Sequence, residues 1–431
     1  MWKYKKLLQF IISVLVLTFF CYFIKSPHVD EIWTYGFSYN LTKGAIPYRD
    51  FNMVILPFYS LLVAIPLKLI CNNLFIFHLV NSVLISLILV FCNKNIISHF
   101  IVIGFIILSP VCYGYNCFVS ILLILILYLE KKDIKYKNEV IGVILGIILM
   151  TKQSIGVVLF FPYIINSKDK IKSILYFLIT PTLILIYLVL NNALYNCIDY
   201  CILGLGNFTE NFSIVPIYYL LEIIVIIYIV ANYQKNKDIN YIYIILFQII
   251  NYPILDMYHF IMGVIPFIYY SCYNKNNRQM IAIFITLLVL IITTTMLNSD
   301  FYLSNLSPFK YRNMDRNRDD EIISTINYIE SNLEDKHYFI FSNNAYYVKM
   351  YQNEKIDKFD LINKGNMGKD ERKYIREINE ICEKKECVFI LDYDLFDKSQ
   401  FNPIIREYVI NNYKYCGNIN STNSIYCSTK K

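Results

Sequence analysis

The sequence predicts a polytopic α-helical membrane protein that ends in a small α/β domain outside the membrane. The 431 residues are 56% hydrophobic and only 17% charged, whereas a soluble domain is about 45 to 50% apolar and about 25% charged. The charged residues also divide unevenly. Residues 1–297 contain 20 Lys/Arg and 12 Asp/Glu among recurring apolar runs, while residues 298–431 contain 20 and 21. We therefore predict a transmembrane domain over residues 1–297 and an extracytoplasmic α/β domain over residues 298–431.

The basic residues predict the topology. A formal net charge of +7 could suggest nucleic acid binding, but the excess lies in short loops between apolar runs, where Lys and Arg mark the cytoplasmic side of a bilayer. We therefore exclude nucleic acid as a partner. The first apolar run, residues 7–24, has no small-residue cleavage site after it, so we predict an uncleaved span with a cytoplasmic N-terminus.

The number of crossings depends on two segments. All basic loops fall inside only if residues 53–70, which include Pro57 and Pro66, lie in the membrane interface. The same rule requires residues 140–165 to form two spans that turn at residues 151–153. This interpretation predicts about eleven crossings, the last of them over residues 279–297, in a multi-pass protein of the cell membrane.

The tail after residue 297 has the pattern of a small α/β domain. Short buried strands are predicted at residues 338–342 and 387–391, and helices at residues 370–383 and 403–412. Four cysteines in this polar region could form one or two disulfides if the compartment is oxidising: Cys382, Cys387, Cys416 and Cys427.

The first outer loop, residues 25–73, contains the most informative acids. Asp30 and Glu31 follow the first span directly, and Asp50 lies further along. Carboxylates at the boundary of membrane and water can serve a lipid-borne substrate. The alternative is that Asp30 and Glu31 only cap a helix, since acids favour helix N-termini.

Aromatic residues also concentrate in this loop. They could form a platform for a sugar ring, but an interfacial aromatic belt is the preferred interpretation. The residues concerned are Trp33, Tyr35, Tyr39 and Tyr48.

Five motifs follow one another along the chain: Asp30-Glu31, Gly44-x-x-Pro-Tyr-Arg-Asp-Phe51, Ser109-Pro110, Thr151-Lys-Gln153 and Asp256-Met-Tyr-His259. Their order resembles the GT-C membrane glycosyltransferases, in particular the branch related to protein O-mannosyltransferases and lipid A aminoarabinose transferases. The resemblance covers about the first 300 residues. The sequence departs from the family pattern in its interfacial helix, which has one Pro, at 57, where many relatives have two. The tail also matches no well-known catalytic module.

The resemblance implies a polyprenyl-phosphate sugar as donor and a carboxylate of the first outer loop as base. Asp30 matches that position and would take a proton from an acceptor hydroxyl as it attacks the anomeric carbon, with inversion. Glu31 and Asp50 could orient the acceptor, tune Asp30, or hold a divalent metal ion together with it. Orientation is preferred, because metal dependence varies across the superfamily.

Three basic residues are candidates for substrate binding. Lys152, between two apolar runs, could neutralise the lipid phosphate, or it could be a snorkelling lysine. His259 could bond the phosphate or sugar, or be a structural histidine. Arg49 could bind phosphate or carboxylate groups, or form a salt bridge with Asp50 or Glu31.

We thus predict an integral membrane glycosyltransferase that acts on an extracytoplasmic acceptor, which could be a cell-wall polymer, a lipid or a protein. A transporter or flippase for lipid-linked saccharides and a non-catalytic envelope scaffold are the alternatives. A transporter is expected to show inverted repeats, which the sequence does not suggest. The tail is expected to control acceptor access, so its removal after Asn298 is expected to leave donor binding measurable.

Overall fold

The computed structural model describes residues 2–92, 96–204, 213–252, 254–274, 302–342, 344–362, 367–392 and 402–428. These residues form two compact units. The helical unit consists of residues 1–34, 55–187 and 212–301, and the mixed unit of residues 35–54, 188–211 and 302–431. The predicted span at residues 279–297 lies outside the described residues.

Helices α1 to α13 precede the tail. Their bounds are α1 Trp2–Thr18 with a π-helical extension Phe19–Ile24, α2 Val29–Thr42, α3 Phe58–Leu69, α4 Leu74–Cys92, α5 Ile96–Leu108, α6 Tyr115–Glu130, α7 Lys137–Leu149, α8 Gln153–Asn166, α9 Lys170–Leu190, α10 Leu194–Ile198 with a π-helical extension Asp199–Leu203, α11 Pro216–Asn236, α12 Ile239–Phe247 with a 3-10 extension Gln248–Asn251, and α13 Met257–Tyr273. Two short parallel strands, β1 (Ser213–Ile214) and β2 (Ile254–Leu255), pair with each other.

Four of the described helices are long and apolar enough to cross a membrane. This confirms the prediction of a helical membrane fold, because a span needs about 20 mostly apolar residues. Several further apolar helices of 10–17 residues are shorter than such a span. The prediction of about eleven crossings remains a prediction. The four candidate spans are Tyr4–Ile24, Leu74–Cys92, Lys170–Leu190 and Pro216–Asn236.

Helices α7 and α8 turn back on each other where the sequence predicted a turn. The chain leaves α7 after Leu149 and enters α8 at Gln153. Gly156 permits the close approach, because a Cβ built on it would lie 2.2 Å from the Leu149 Cα. Any larger residue would separate the two helices at this turn.

Helix α3 is shorter than a membrane span. It has 12 residues and includes Pro66, which gives a length of about 18 Å against a hydrocarbon core of about 30 Å. Helices α5, α7 and α8 are also shorter than this thickness, so the interfacial position of residues 53–70 stays a prediction.

The described residues of the tail form four helices and a four-stranded sheet. The helices are α14 Arg316–Asn332, α15 Ala345–Tyr351, α16 Arg372–Lys384 and α17 Pro403–Asn412, and the strands are β3 His337–Phe341, β4 Cys387–Asp392, β5 Lys414–Asn418 and β6 Asn423–Cys427. The sheet order is β3-β4-β6-β5, with β3 and β4 parallel and the other pairs antiparallel. All residues of β4 are buried, which explains its uninterrupted apolar sequence.

The mixed unit includes two segments from far earlier in the chain. The Asn40 side chain donates to the Ile356 carbonyl (2.7 Å) and accepts from the Ile356 N–H (2.9 Å). The Asn52 amide donates to the Tyr374 hydroxyl (2.7 Å). The aromatic residues of the first loop are buried here, so the aromatic-belt interpretation is wrong for Tyr35, Tyr39 and Tyr48.

The second early segment, residues 188–211, contacts the tail through charged side chains within the mixed unit. Lys373 Nζ lies 2.7 Å from Asp199 Oδ2, and the Lys369 N–H donates to Asp199 Oδ1 (2.9 Å). Although burial alone would lower the pKa of Lys373, its hydrogen bond to Asp199 and the neighbouring charges raise it above its usual value. The lysine therefore stays charged at neutral pH, and the contact is an ion pair.

All four tail cysteines are paired. The disulfides join Cys382 to Cys387 and Cys416 to Cys427, while the eight other cysteines are not disulfide-bonded.

Thiol counting tests this pairing. Denatured protein isolated from its native membrane without reductant is expected to show eight reactive thiols of its 12 cysteines, and twelve after reduction. Quantitative alkylation followed by mass spectrometry measures both numbers and assigns the pairs. Twelve reactive thiols before reduction would contradict both disulfides and the oxidising environment that they require.

Candidate active site

Asp30 lies at the start of α2 with its side chain partly in contact with solvent. The exposed fraction of this side chain is 36%, and its Oδ2 atom lies 3.7 Å from Nδ1 of His28. The Thr34 hydroxyl donates to the Asp30 carbonyl oxygen (2.7 Å), one turn along the helix. The carboxylate is therefore held beside an imidazole, where it remains accessible to a ligand.

Asp256 caps α13 and orients His259. Its Oδ1 accepts a hydrogen bond from the His259 N–H (2.9 Å) and lies 2.9 Å from the His259 ring Nδ1. This fixes the ring so that its other nitrogen, Nε2, is the one left for a ligand. Asp256 also interacts electrostatically with His28, which lies beside Asp30. The Asp256–His259 pair therefore belongs to the same cluster as Asp30.

Lys152 lies in the turn between α7 and α8, directly before the first residue of α8. Its Nζ donates to the Asn116 side-chain oxygen (2.8 Å) and lies 5.7 Å from the centre of the Tyr115 ring. No carboxylate pairs with it among the residues that the structure describes. Burial lowers the pKa of Lys152 to about 7, and a bound anion would favour the charged form of the lysine.

Tyr115 links these groups. Both Asp30 and Asp256 interact electrostatically with its hydroxyl, and Lys152 lies against its ring. Tyr258 also interacts electrostatically with Tyr115 and Asp30. The structure thus brings a carboxylate, an Asp–His pair and a lysine together around one tyrosine.

Glu31, next to Asp30, has a different environment. Its carboxylate and the His78 imidazole are both fully buried, with 2.5 Å between Glu31 Oε1 and His78 Nε2. The His78 ring packs against Tyr113 and Tyr22. Glu31 therefore joins α2 to α4, and direct substrate contact by this residue stays a prediction.

A pair of variants separates the two adjacent acids. Glu31→Ala is expected to lower the free energy of unfolding by about 3–5 kcal/mol, because it leaves His78 without its partner in a buried site. Asp30→Ala is the matched control and is expected to change stability by no more than ~0.5 kcal/mol. Thermal unfolding in detergent measures both. Equal unfolding midpoints would show that the Glu31–His78 pair is not structural.

Arg49 and Asp50 lie in the mixed unit and bind each other. Arg49 Nε is 2.8 Å from Asp50 Oδ1, and the Ile46 N–H donates to Asp50 Oδ2 (2.8 Å). The Arg49 hydrogen bond, more than any other contact, lowers the pKa of Asp50. The two residues close a turn in which Tyr48 has a positive φ of 66°, and substrate binding by either stays a prediction.

No group of three or more His, Cys, Asp or Glu side chains is arranged to hold a metal ion in the described part of the chain. A divalent ion bound by Asp30, Glu31 and Asp50 stays a prediction. The sequence did not identify four residues that belong to the cluster or bind its neighbouring side chains, because none of them lies in a motif that marks catalysis. They are His28, His78, Tyr115 and Asn116.

Comparisons with known proteins bear on the fold. No family model and no curated protein matches the sequence. The structure is similar to the crystal structure of ArnT from Cupriavidus metallidurans bound to undecaprenyl phosphate, with a TM-score of 0.56, 9% identity and 99% of both chains covered. The apo oligosaccharyltransferase of Archaeoglobus fulgidus matches with a TM-score of 0.49 and 9% identity over 90% of this chain and 70% of that chain. The likeness to ArnT confirms the predicted GT-C resemblance at the level of the fold.

Proposed function

We propose that the protein is an integral membrane glycosyltransferase that moves a sugar from a polyprenyl-phosphate carrier to an acceptor outside the cytoplasm. The observation that carries the proposal is the cluster of Asp30, Lys152 and the Asp256–His259 pair, within a fold shared with ArnT over 99% of both chains. A base and a cation are the two groups that this reaction requires.

In the proposed reaction, Asp30 accepts the proton of the acceptor hydroxyl. The oxygen attacks the anomeric carbon, and the bond from that carbon to the lipid phosphate oxygen breaks. This single displacement inverts the anomeric configuration. Lys152 binds the phosphate, whose negative charge increases as the bond breaks, and His259, fixed by Asp256, bonds the phosphate or the sugar.

A transfer assay tests the function directly. Purified protein in vesicles is incubated with labelled polyprenyl-phosphate sugars and a mixture of envelope acceptors. Label that moves to an acceptor supports the proposal. Movement of intact donor across the bilayer without transfer would identify a transporter instead. If neither transfer nor movement of the donor occurred, the protein would be a scaffold.

The proposed topology places the tail outside and the loop near Lys132 inside. The two tail disulfides support an oxidising location for the tail. In a Cys71→Ser background, which removes the exposed free thiol, an impermeant thiol reagent is expected to label a cysteine at Lys310 in intact cells. A cysteine at Lys135 is expected to react only after permeabilisation. The reverse labelling pattern would overturn the proposed orientation.

A further inference from the structure

A second polar cavity lies at the other end of the helical unit. Helices α6, α8 and α13 each begin at the candidate active site, at Tyr115, Gln153 and Met257. The residues that follow or close the same helices, Lys131, Asn166 and Asn274, line a cavity of about 790 Å³. Since α13 has 17 residues, about 25 Å separates the two sites.

The cavity is basic. Lys131, Lys235 and Lys237 line it together with a single acid, Asp238. Lys131 Nζ lies 2.6 Å from Asp238 Oδ2, so this acid is already neutralised. The other two lysines have no acidic partner among the described residues. Among the described residues, the cavity therefore carries a net positive charge without a counter-ion.

The remaining lining adds hydrogen-bond donors. Asn232 and Asn236 on α11 join the two asparagines at the helix ends. Lys237 has a positive φ of 51°, a conformation that ordinarily favours glycine at the end of a helix. Its N–H closes the helix on the Tyr233 carbonyl, and its ammonium lies 5.4 Å from the Tyr233 ring. The sequence thus places a lysine where glycine would be less strained.

The surroundings indicate what kind of anion fits. Two of the helices that form the cavity, α8 and α11, expose apolar side chains next to it, with Ile165 75% and Ile227 63% exposed. A phosphate in the cavity could therefore belong to a molecule whose hydrocarbon chains lie along these helices. Lysines close to such a surface attract anionic lipids.

We infer that this cavity binds the phosphate-bearing headgroup of an anionic membrane lipid, on the membrane face opposite to the candidate active site. The phosphate lies between Lys235 and Lys237, the asparagine amides donate to its oxygens, and the acyl chains follow α8 and α11. The inference does not depend on the proposed transfer activity, because it rests on a separate set of side chains.

The test compares two double variants of the full chain in nanodiscs of phosphatidylcholine with and without phosphatidylglycerol. Lys235→Gln with Lys237→Gln removes the two lysines of the cavity that have no acidic partner among the described residues and keeps the paired Lys131. Lys168→Gln with Lys170→Gln is the matched control, since it removes the same charge from exposed positions that do not line the cavity. Bound phosphatidylglycerol is quantified by mass spectrometry of the purified particles, and inorganic phosphate is added as a competitor in a parallel series.

We expect a roughly tenfold or greater loss of phosphatidylglycerol affinity in the cavity variant and no loss in the control. Lys235→Arg with Lys237→Arg is expected to restore binding, which separates a lost site from a misfolded protein. Equal losses in both glutamine variants, or none in the cavity variant, would overturn the inference. If inorganic phosphate competed as effectively as the lipid, the inference would also be overturned, because the cavity would then bind a soluble anion.

Discussion

Asp30→Asn is expected to reduce the rate of sugar transfer by about 10²–10⁴-fold, the usual contribution of a general base. The amide has the same shape as the carboxylate but cannot accept the proton of the acceptor hydroxyl. Because the side chain is partly exposed and has no fully buried partner, the variant is expected to fold normally. The measurement is the initial rate with a labelled donor at saturating acceptor concentration.

A second variant distinguishes loss of the base from general damage to the site. Lys152→Met removes the cation that we assign to the lipid phosphate and is expected to raise the KM for the donor. Asp30→Asn is expected to leave donor binding unchanged. Full activity of the Asp30→Asn protein would remove the basis of the mechanism, and equal loss of donor binding in both variants would indicate that Asp30 organises the site.

Deletion of the tail after Asn298 is expected to prevent folding of a stable protein. The sequence alone predicts that such a truncation keeps donor binding, but the contacts within the mixed unit favour the opposite result. Phe37 and Phe51 are buried there, and Asn40 makes two hydrogen bonds to Ile356. Burial of each such aromatic side chain contributes about 1.5–3 kcal/mol. Size-exclusion chromatography and limited proteolysis of the purified truncation measure the effect.

A single substitution provides a milder version of the same test. Asn40→Ala is expected to destabilise the protein by about 1–3 kcal/mol, since it leaves the Ile356 backbone groups without partners in a buried site. Asn412→Ala, in an exposed position, is the control and is expected to have little effect. For the deletion of the tail after Asn298, a monodisperse protein that binds donor lipid would contradict the expected result, because residues 35–54 would then fold without the tail.

Local patterns were sufficient for much of the fold. The apolar runs predicted a helical membrane protein, and the positive-inside rule placed a turn at residues 151–153, where the structure has one between α7 and α8. The predicted tail strands agree with β3 and β4 to within one residue at each end, because buried strands have short uninterrupted apolar runs. The β5–β6 hairpin was not predicted, since the residues of β5 are mostly exposed and form no apolar run, and helix α14 was not predicted either.

The roles of individual residues required the tertiary structure. Asp30 and Glu31 are adjacent acids that no sequence pattern distinguishes, yet an α-helix turns by about 100° per residue, so one reaches solvent and the other reaches His78. The pairing of Lys152 with Asn116 and the burial of Tyr48 likewise depend on residues far apart in the chain. Apolar segments and the turns between them can be predicted from the amino-acid sequence, because hydropathy and charge are local properties. Contacts between polar side chains could be identified only in the folded protein, because they depend on how the helices pack and rotate against each other.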